Sequence, residues 1–151
     1  MKHLGKLLLL TLVLVMGQAV TATLVSAKTD KVKIDIPAGY RAVSIPAPAE
    51  QLLFVKKGDK VDIFVTLISS KDSANNGRVT ADLLQNVTVL NVKKAKKGCA
   101  KGTLQLLLNP NEAQYAVLSV TQADYIAVGV RAIGDEELKP MEVATFSKLF
   151  K

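Results

Sequence analysis

Residues 54–67 read FVKKGDKVDIFVTL, and the second half alternates strictly: Val61, Ile63, Val65 and Leu67 share one side of an extended chain. The preceding Lys56-Lys57-Gly58-Asp59 carries the glycine and aspartate that a tight turn uses for positive φ and local side-chain hydrogen bonds. Upstream, Val32, Ile34 and Ile36 alternate with Lys31, Lys33 and Asp35, which predicts an amphipathic strand or extended arm. Pro37-Ala38-Gly39-Tyr40 turns the chain into a short strand over residues 41–45 (RAVSI). Pro46 and Pro48 should end that strand, because proline donates nothing to a ladder.

Downstream, residues 69–77 (SSKDSANNG) are small and polar with no hydrophobic period, and read as a loop. Residues 78–84 read as extended, although ADLLQ also suits a helical turn, and the β-branched stretch 87–92 (VTVLNV) reads as a strand. A lysine-rich turn closed by Gly102 leads to another strand at 103–108 (TLQLLL). Asn109 then caps a helix, with Pro110 in its first position and Glu112 placed for a capping box. Its expected apolar face is Ala113, Ala116, Val117 and Val120, and its expected end lies at 121–123. Residues 125–133 (YIAVGVRAI) form the last strong strand, and Gly134 opens an acidic turn, Asp135-Glu136-Glu137. The tail, 135–151, carries Phe146, Leu149 and Phe150 and suits docking either on its own domain or on a partner. These elements make a mainly β (α+β) domain: compact, of six or seven strands with one short helix, and β-clip-like.

The 151-residue length suits one domain, and 49% hydrophobic with 22% charged residues is an ordinary globular balance. Part of the apolar excess sits at the start. Lys2 and Lys6 precede the apolar run LLLLTLVLVM at 7–16, and small residues at 25–27 form a cleavage signal. Residues 1–27 therefore read as a secretory signal peptide, the rival being an uncleaved anchor. The expected organisation is this segment, a β domain over 28–134 and the tail, in an exported protein of the periplasm or cell envelope. Cleavage after Ala27 would remove two lysines from a chain of net charge +7 and leave it modestly basic.

That basic charge is concentrated. Lys56, Lys57 and Lys60 flank the central turn, and Lys93, Lys94, Lys96, Lys97 and Lys101 surround the later one. With Arg41 they are the candidate partner-binding residues, suited to an acidic protein, an anionic wall polymer or lipid headgroups. The plainer reading is solvated turns guarding aggregation-prone strands. Nucleic acid does not fit, because the chain lacks tryptophan and its few aromatics do not interleave with the lysines.

Catalytic chemistry has little to stand on. The single histidine, His3, lies in the leader, which leaves no histidine for a triad or a metal site in the remainder. The one cysteine, Cys99, has no partner for an internal disulfide; its lysine neighbours would favour the thiolate, but a plain surface cysteine is the better reading. Asp59 and Asp62 resemble a carboxylate pair, yet a turn aspartate and an outward strand aspartate account for them more simply. No metal or cofactor site emerges, and the residues read as a binding domain rather than an enzyme.

Five segments, in order, resemble the C-terminal domain of the CpaB/RcpC family of Flp (tight adherence) pilus assembly proteins. They are PAGYRAVSI at 37–45, VKKGDKVDI at 55–63, LLQNVTVL at 83–90, the strand-to-helix step from Thr103 to Ala113, and the closing strand from Ile126 to Arg131. Within them Gly39, Gly58, Asp59 and Asp62 read as structural motif residues. Members usually carry a SAF-type domain between a membrane segment and this one, for which this sequence has no room. The helix also runs into the last strand with less of the usual glycine-marked turn. The resemblance implies a non-enzymatic accessory role in pilus biogenesis, with the secretin or other assembly proteins as partners. The alternative is a stand-alone binder of peptidoglycan or another envelope glycan.

Overall fold

A computed structural model of the protein describes residues 34–68 and 77–149. The segment read as a signal peptide and most of the polar loop at 69–77 lie outside the described residues. Six antiparallel strands form one sheet: β1 (Arg41–Pro48), β2 (Lys60–Ile68), β3 (Arg78–Lys93), β4 (Lys101–Leu108), β5 (Tyr125–Val130) and β6 (Ala144–Thr145). Their order is β1-β4-β3-β2-β5, with β6 added to the start of β3. One α-helix, α1 (Pro110–Gln122), joins β4 to β5. The domain is mainly β, as the alternating pattern predicts.

The central strand behaves as its pattern requires. Val61, Ile63 and Val65 are buried, and they meet Leu84, Val87 and Val89 of β3 and the alternate leucines of β4 in one core. The turn before β2 forms as its residues demand. Gly58 takes φ +92°, and Asp59 accepts the Lys56 N–H at 2.8 Å. Gly58 and Asp59 then exchange backbone hydrogen bonds with Val89, so pairing with β3 begins inside the turn.

The sheet curls until its end strands, β1 and β5, bring Cα atoms within 8 Å without sharing a ladder. A 3-10 turn, Gln51–Leu53, fills the gap. Leu52 is fully buried there, and the Gln51 side chain takes the place of a missing strand: its Oε1 accepts the Val128 N–H at 2.9 Å, and its Nε2 donates to the Tyr125 hydroxyl at 3.3 Å. Leu52 also packs on the base of the β3–β4 hairpin. A Cβ at Gly102 would lie 2.6 Å from both Leu52 Cδ1 and the Lys93 carbonyl, so only glycine fits.

α1 packs chiefly on β1. Its capping box is complete: Asn109 Oδ1 accepts the Asn111 and Glu112 N–H groups, and Glu112 Oε2 accepts the Asn109 N–H at 2.7 Å. The buried face is Ala116 and Ser119, with Ala113 and Ala123 beside them. This corrects the expected face. Val117 is 56% exposed and Val120 40%, because the helix lies against the sheet on its small residues, which allow close approach.

Two other expectations change. Pro46 does not end β1, which runs on and stops at Pro48, the two prolines lying opposite Thr103 and Lys101. As an end strand β1 needs no donors on its outer edge, so prolines are tolerated. Residues 78–92, read as two segments, form one long strand. Asn86 takes a φ of 56° at a bulge where register slips against β2, and the register slips again against β4 between Val89 and Asn91. Residues 34–36 carry no strand pairing.

Candidate partner-binding surfaces

Antiparallel pairing spreads the candidate residues along the sheet. Lys60, at the start of β2, pairs with Thr88, on the row of Leu107 and Ala42, whereas the 93–101 hairpin joins the end of β3 to the start of β4. Lys56, Lys57 and the five hairpin lysines are exposed, Lys60 is half-buried, and none of these forms an ion pair within the described residues. Residues 49–59 run from the hairpin to the start of β2, tied to the hairpin by the Ala49 N–H donating to the Ala100 carbonyl at 3.0 Å. Cys99 is exposed on the hairpin, its N–H donating to the Lys96 carbonyl.

Arg41 lies away from the hairpin lysines and beside the row of Lys60. It starts β1, opposite Leu108 at the far end of β4, and donates to the Tyr40 carbonyl at 3.0 Å. There it borders an open groove of about 780 Å³ between β1 and α1. Ala42, Val43, Pro110, Val117 and Leu118 make most of the groove apolar. The apolar period of α1 thus produced a surface as well as a core contact: the large residues expected inside are displayed outside.

Asp62 is the residue that sequence reasoning placed wrongly. It points away from the core, as the alternation requires, but it is not exposed: it is 8% accessible and lies under Arg131. Arg131 Nε stands 3.3 Å from Asp62 Oδ1 and 3.7 Å from Asp135 Oδ2. The guanidinium also donates to the carbonyls of Asp135 and Glu137, which folds the acidic turn over the pair. Asp62 Oδ1 further accepts the Asn86 N–H at 2.8 Å, satisfying the donor that the bulge in β3 leaves unpaired. Gln85 fixes the tail by accepting the Lys139 N–H at 3.0 Å and donating to the Lys139 carbonyl. The sequence signal was present in an aspartate set within an apolar strand and an arginine closing another, but nothing in the periodicity couples positions so far apart.

Among the described residues no group of three or more His, Cys, Asp or Glu is placed to hold a metal ion, and no helix is long and apolar enough to cross a membrane. The five ordered motifs have a counterpart in the family comparison, where the model for the Flp pilus assembly protein RcpC/CpaB matches residues 30–132. The chain belongs to the RcpC/CpaB family. No curated protein and no solved structure matches it. The RcpC/CpaB motif residues occupy bends and locks. Gly39 and Gly58 take positive φ in turns, Asp59 closes its turn, and Asp62 and Arg131, from two separate motifs, form the buried pair. The RcpC/CpaB match places the protein in a pilus assembly family, and thereby with the cell envelope.

Beside the pair, Asp82 titrates above its usual value of 3.8. Partial burial is the main cause; the Gln85 hydrogen bond opposes it, the Asp62 carboxylate adds to it, and Arg131 opposes it. A raised carboxyl pKa means the folded state holds its proton longer than the unfolded chain does. Stability from this group is present below about pH 3.8 and is lost as pH rises through the folded-state value. Asp82→Asn should therefore gain stability relative to wild type as pH rises from 4 to 7, read as urea midpoints at both values. Parallel shifts at the two pH values would contradict this.

Proposed function

We propose that the protein is a non-enzymatic, periplasmic accessory component of Flp pilus biogenesis. It docks on the secretin, or on another assembly protein, through the groove between β1 and α1. The observation carrying this reading is the exposed apolar lining of that groove in an RcpC/CpaB domain, with Val117 and Leu118 each 56% exposed. Monomeric domains seldom leave such residues adjacent beside an end strand unless a partner covers them. An extended segment laid along β1 would find unpaired backbone on one side and apolar side chains of α1 on the other.

The test is a pull-down with the full chain as bait against the secretin and the other pilus components. Wild type should retain the secretin, and Leu118→Glu should retain at least ten-fold less while keeping its circular dichroism. Retention unchanged by Leu118→Glu and by Val117→Glu would remove the groove from the account. A sedimentation assay with purified cell wall addresses the alternative, an envelope-glycan binder; wall binding without secretin binding would favour it.

A further inference from the structure

The end of the domain that carries the lysine hairpin also displays two large apolar side chains, on the connection tied to it. Leu53 is 62% exposed and Phe54 76%, although Leu52 and Val55 on either side are buried. The chain is held in this alternation at several points. Leu52 is wedged against Gly102, the Leu53 and Phe54 N–H groups donate to the carbonyls of Glu50 and Gln51, and the next turn is bonded to Val89. Leu53 and Phe54 are thus presented on a fixed support. Lys56, Lys57 and Lys60 follow them, and the lysine hairpin adjoins them through Ala49 and Leu52. Glu50 and Asp59 are the acidic residues of this end, and Asp59 is engaged by the Lys56 N–H.

We infer that this end is a peripheral membrane contact, with Leu53 and Phe54 entering the headgroup–acyl boundary of an anionic bilayer and the lysines resting on its phosphates. Two requirements select a bilayer among anionic surfaces. The lysines call for dense negative charge, and the apolar tip calls for a hydrocarbon layer directly beneath that charge. An anionic glycan offers the first without the second. Lipid interfaces offer both, and an apolar tip with lysines beside it can bind them without spanning. The inference deepens the proposed envelope role and rests on that location. It assigns the exposed tip and the lysine hairpin to lipid and leaves the β1–α1 groove for protein.

The chain contains no tryptophan, so Phe54→Trp places a single fluorophore at the tip. The full-length variant is mixed with vesicles of phosphatidylcholine alone or with phosphatidylglycerol. Because the apolar N-terminal segment could attach the chain to either vesicle, the reading is taken at position 54 and not from total binding. The indole introduced by Phe54→Trp should shift to the blue, and be quenched by acyl-brominated lipid, only where phosphatidylglycerol is present. Adding Lys96→Ala should lower the ratio of inserted to free tip about five-fold, the effect of one lysine at an anionic surface. Tyr115→Trp, on α1, should not respond. Equal responses at 54 and 115, an equal response in neutral vesicles, or no response at 54 would overturn the inference. A blue shift at 54 caused by the secretin without lipid would overturn it too, by making the occupant a protein. The two readings fail separately. A silent fluorophore at position 54 with intact secretin capture removes the membrane contact alone, whereas an inserting one with no secretin capture removes the groove alone.

Discussion

Arg131→Ala should destabilise the domain by about 3–5 kcal/mol, enough to unfold a marginal protein of this size. The Arg131 side chain is 6% exposed, and its head group serves four acceptors: the carboxylates of Asp62 and Asp135 and the carbonyls of Asp135 and Glu137. At 3.3 Å the Nε contact with Asp62 is an ion pair without an aligned hydrogen bond, so the attraction is chiefly electrostatic. Truncation leaves the Asp62 carboxylate buried with only the Asn86 N–H for compensation, and releases the acidic turn that covers β3. Replacing both partners by neutral residues, Asp62→Asn with Arg131→Met, should recover much of the loss, because the isolated charge is the costly part. Lys139→Ala provides the contrast. Its partner Glu137 is 3.0 Å away, but both side chains are about two-thirds exposed, and such pairs contribute only about 0–1 kcal/mol. Urea midpoints for the variants decide the matter; equal losses for Arg131→Ala and Lys139→Ala would show that burial of the pair is energetically unimportant.

Leu52→Ala should cost about 2–5 kcal/mol, while its neighbour Leu53→Ala should stay within about 0.5 kcal/mol of wild type. The two leucines are adjacent and chemically identical, but Leu52 is fully buried between the sheet and Gly102, whereas Leu53 stands in solvent. Removing Leu52 opens a cavity where the end strands fail to pair, and it frees the connection that carries Leu53 and Phe54. Phosphatidylglycerol-dependent insertion of the tip should weaken with it. Leu53→Ala should weaken insertion without a stability loss. Similar thermal midpoints for the two variants would contradict the assignment of Leu52 as the plug.

What could be read in the sequence followed local rules. The alternation at Val61, Ile63 and Val65 gave a half-buried strand, and Asn109, Pro110 and Glu112 gave a helix start that forms with every expected hydrogen bond. The lysine turns were visible as well, but the separation of Arg41 from the 93–101 hairpin, and the place of Lys60 near Arg41, depend on strand pairing that periodicity does not encode. The i, i+3, i+4, i+7 spacing of Ala113, Ala116, Val117 and Val120 points the helix face too far toward the valines. In α1 Ala116 and Ser119 approach the sheet, and Val117 lines the groove with Leu118. Proline was given too much weight in β1, where an unpaired outer edge tolerates it. Asp62 was assigned to the correct side of its strand but to the wrong environment, since what covers it arrives from the last strand and the acidic turn beyond it.

The pilus role itself is most directly tested in a strain lacking this gene. Piliation should be lost on deletion, restored by the wild-type chain and not restored by a stably expressed Leu118→Glu chain. Normal piliation in the deletion strain would contradict the role, and full restoration by Leu118→Glu would contradict the groove through which the protein is proposed to act.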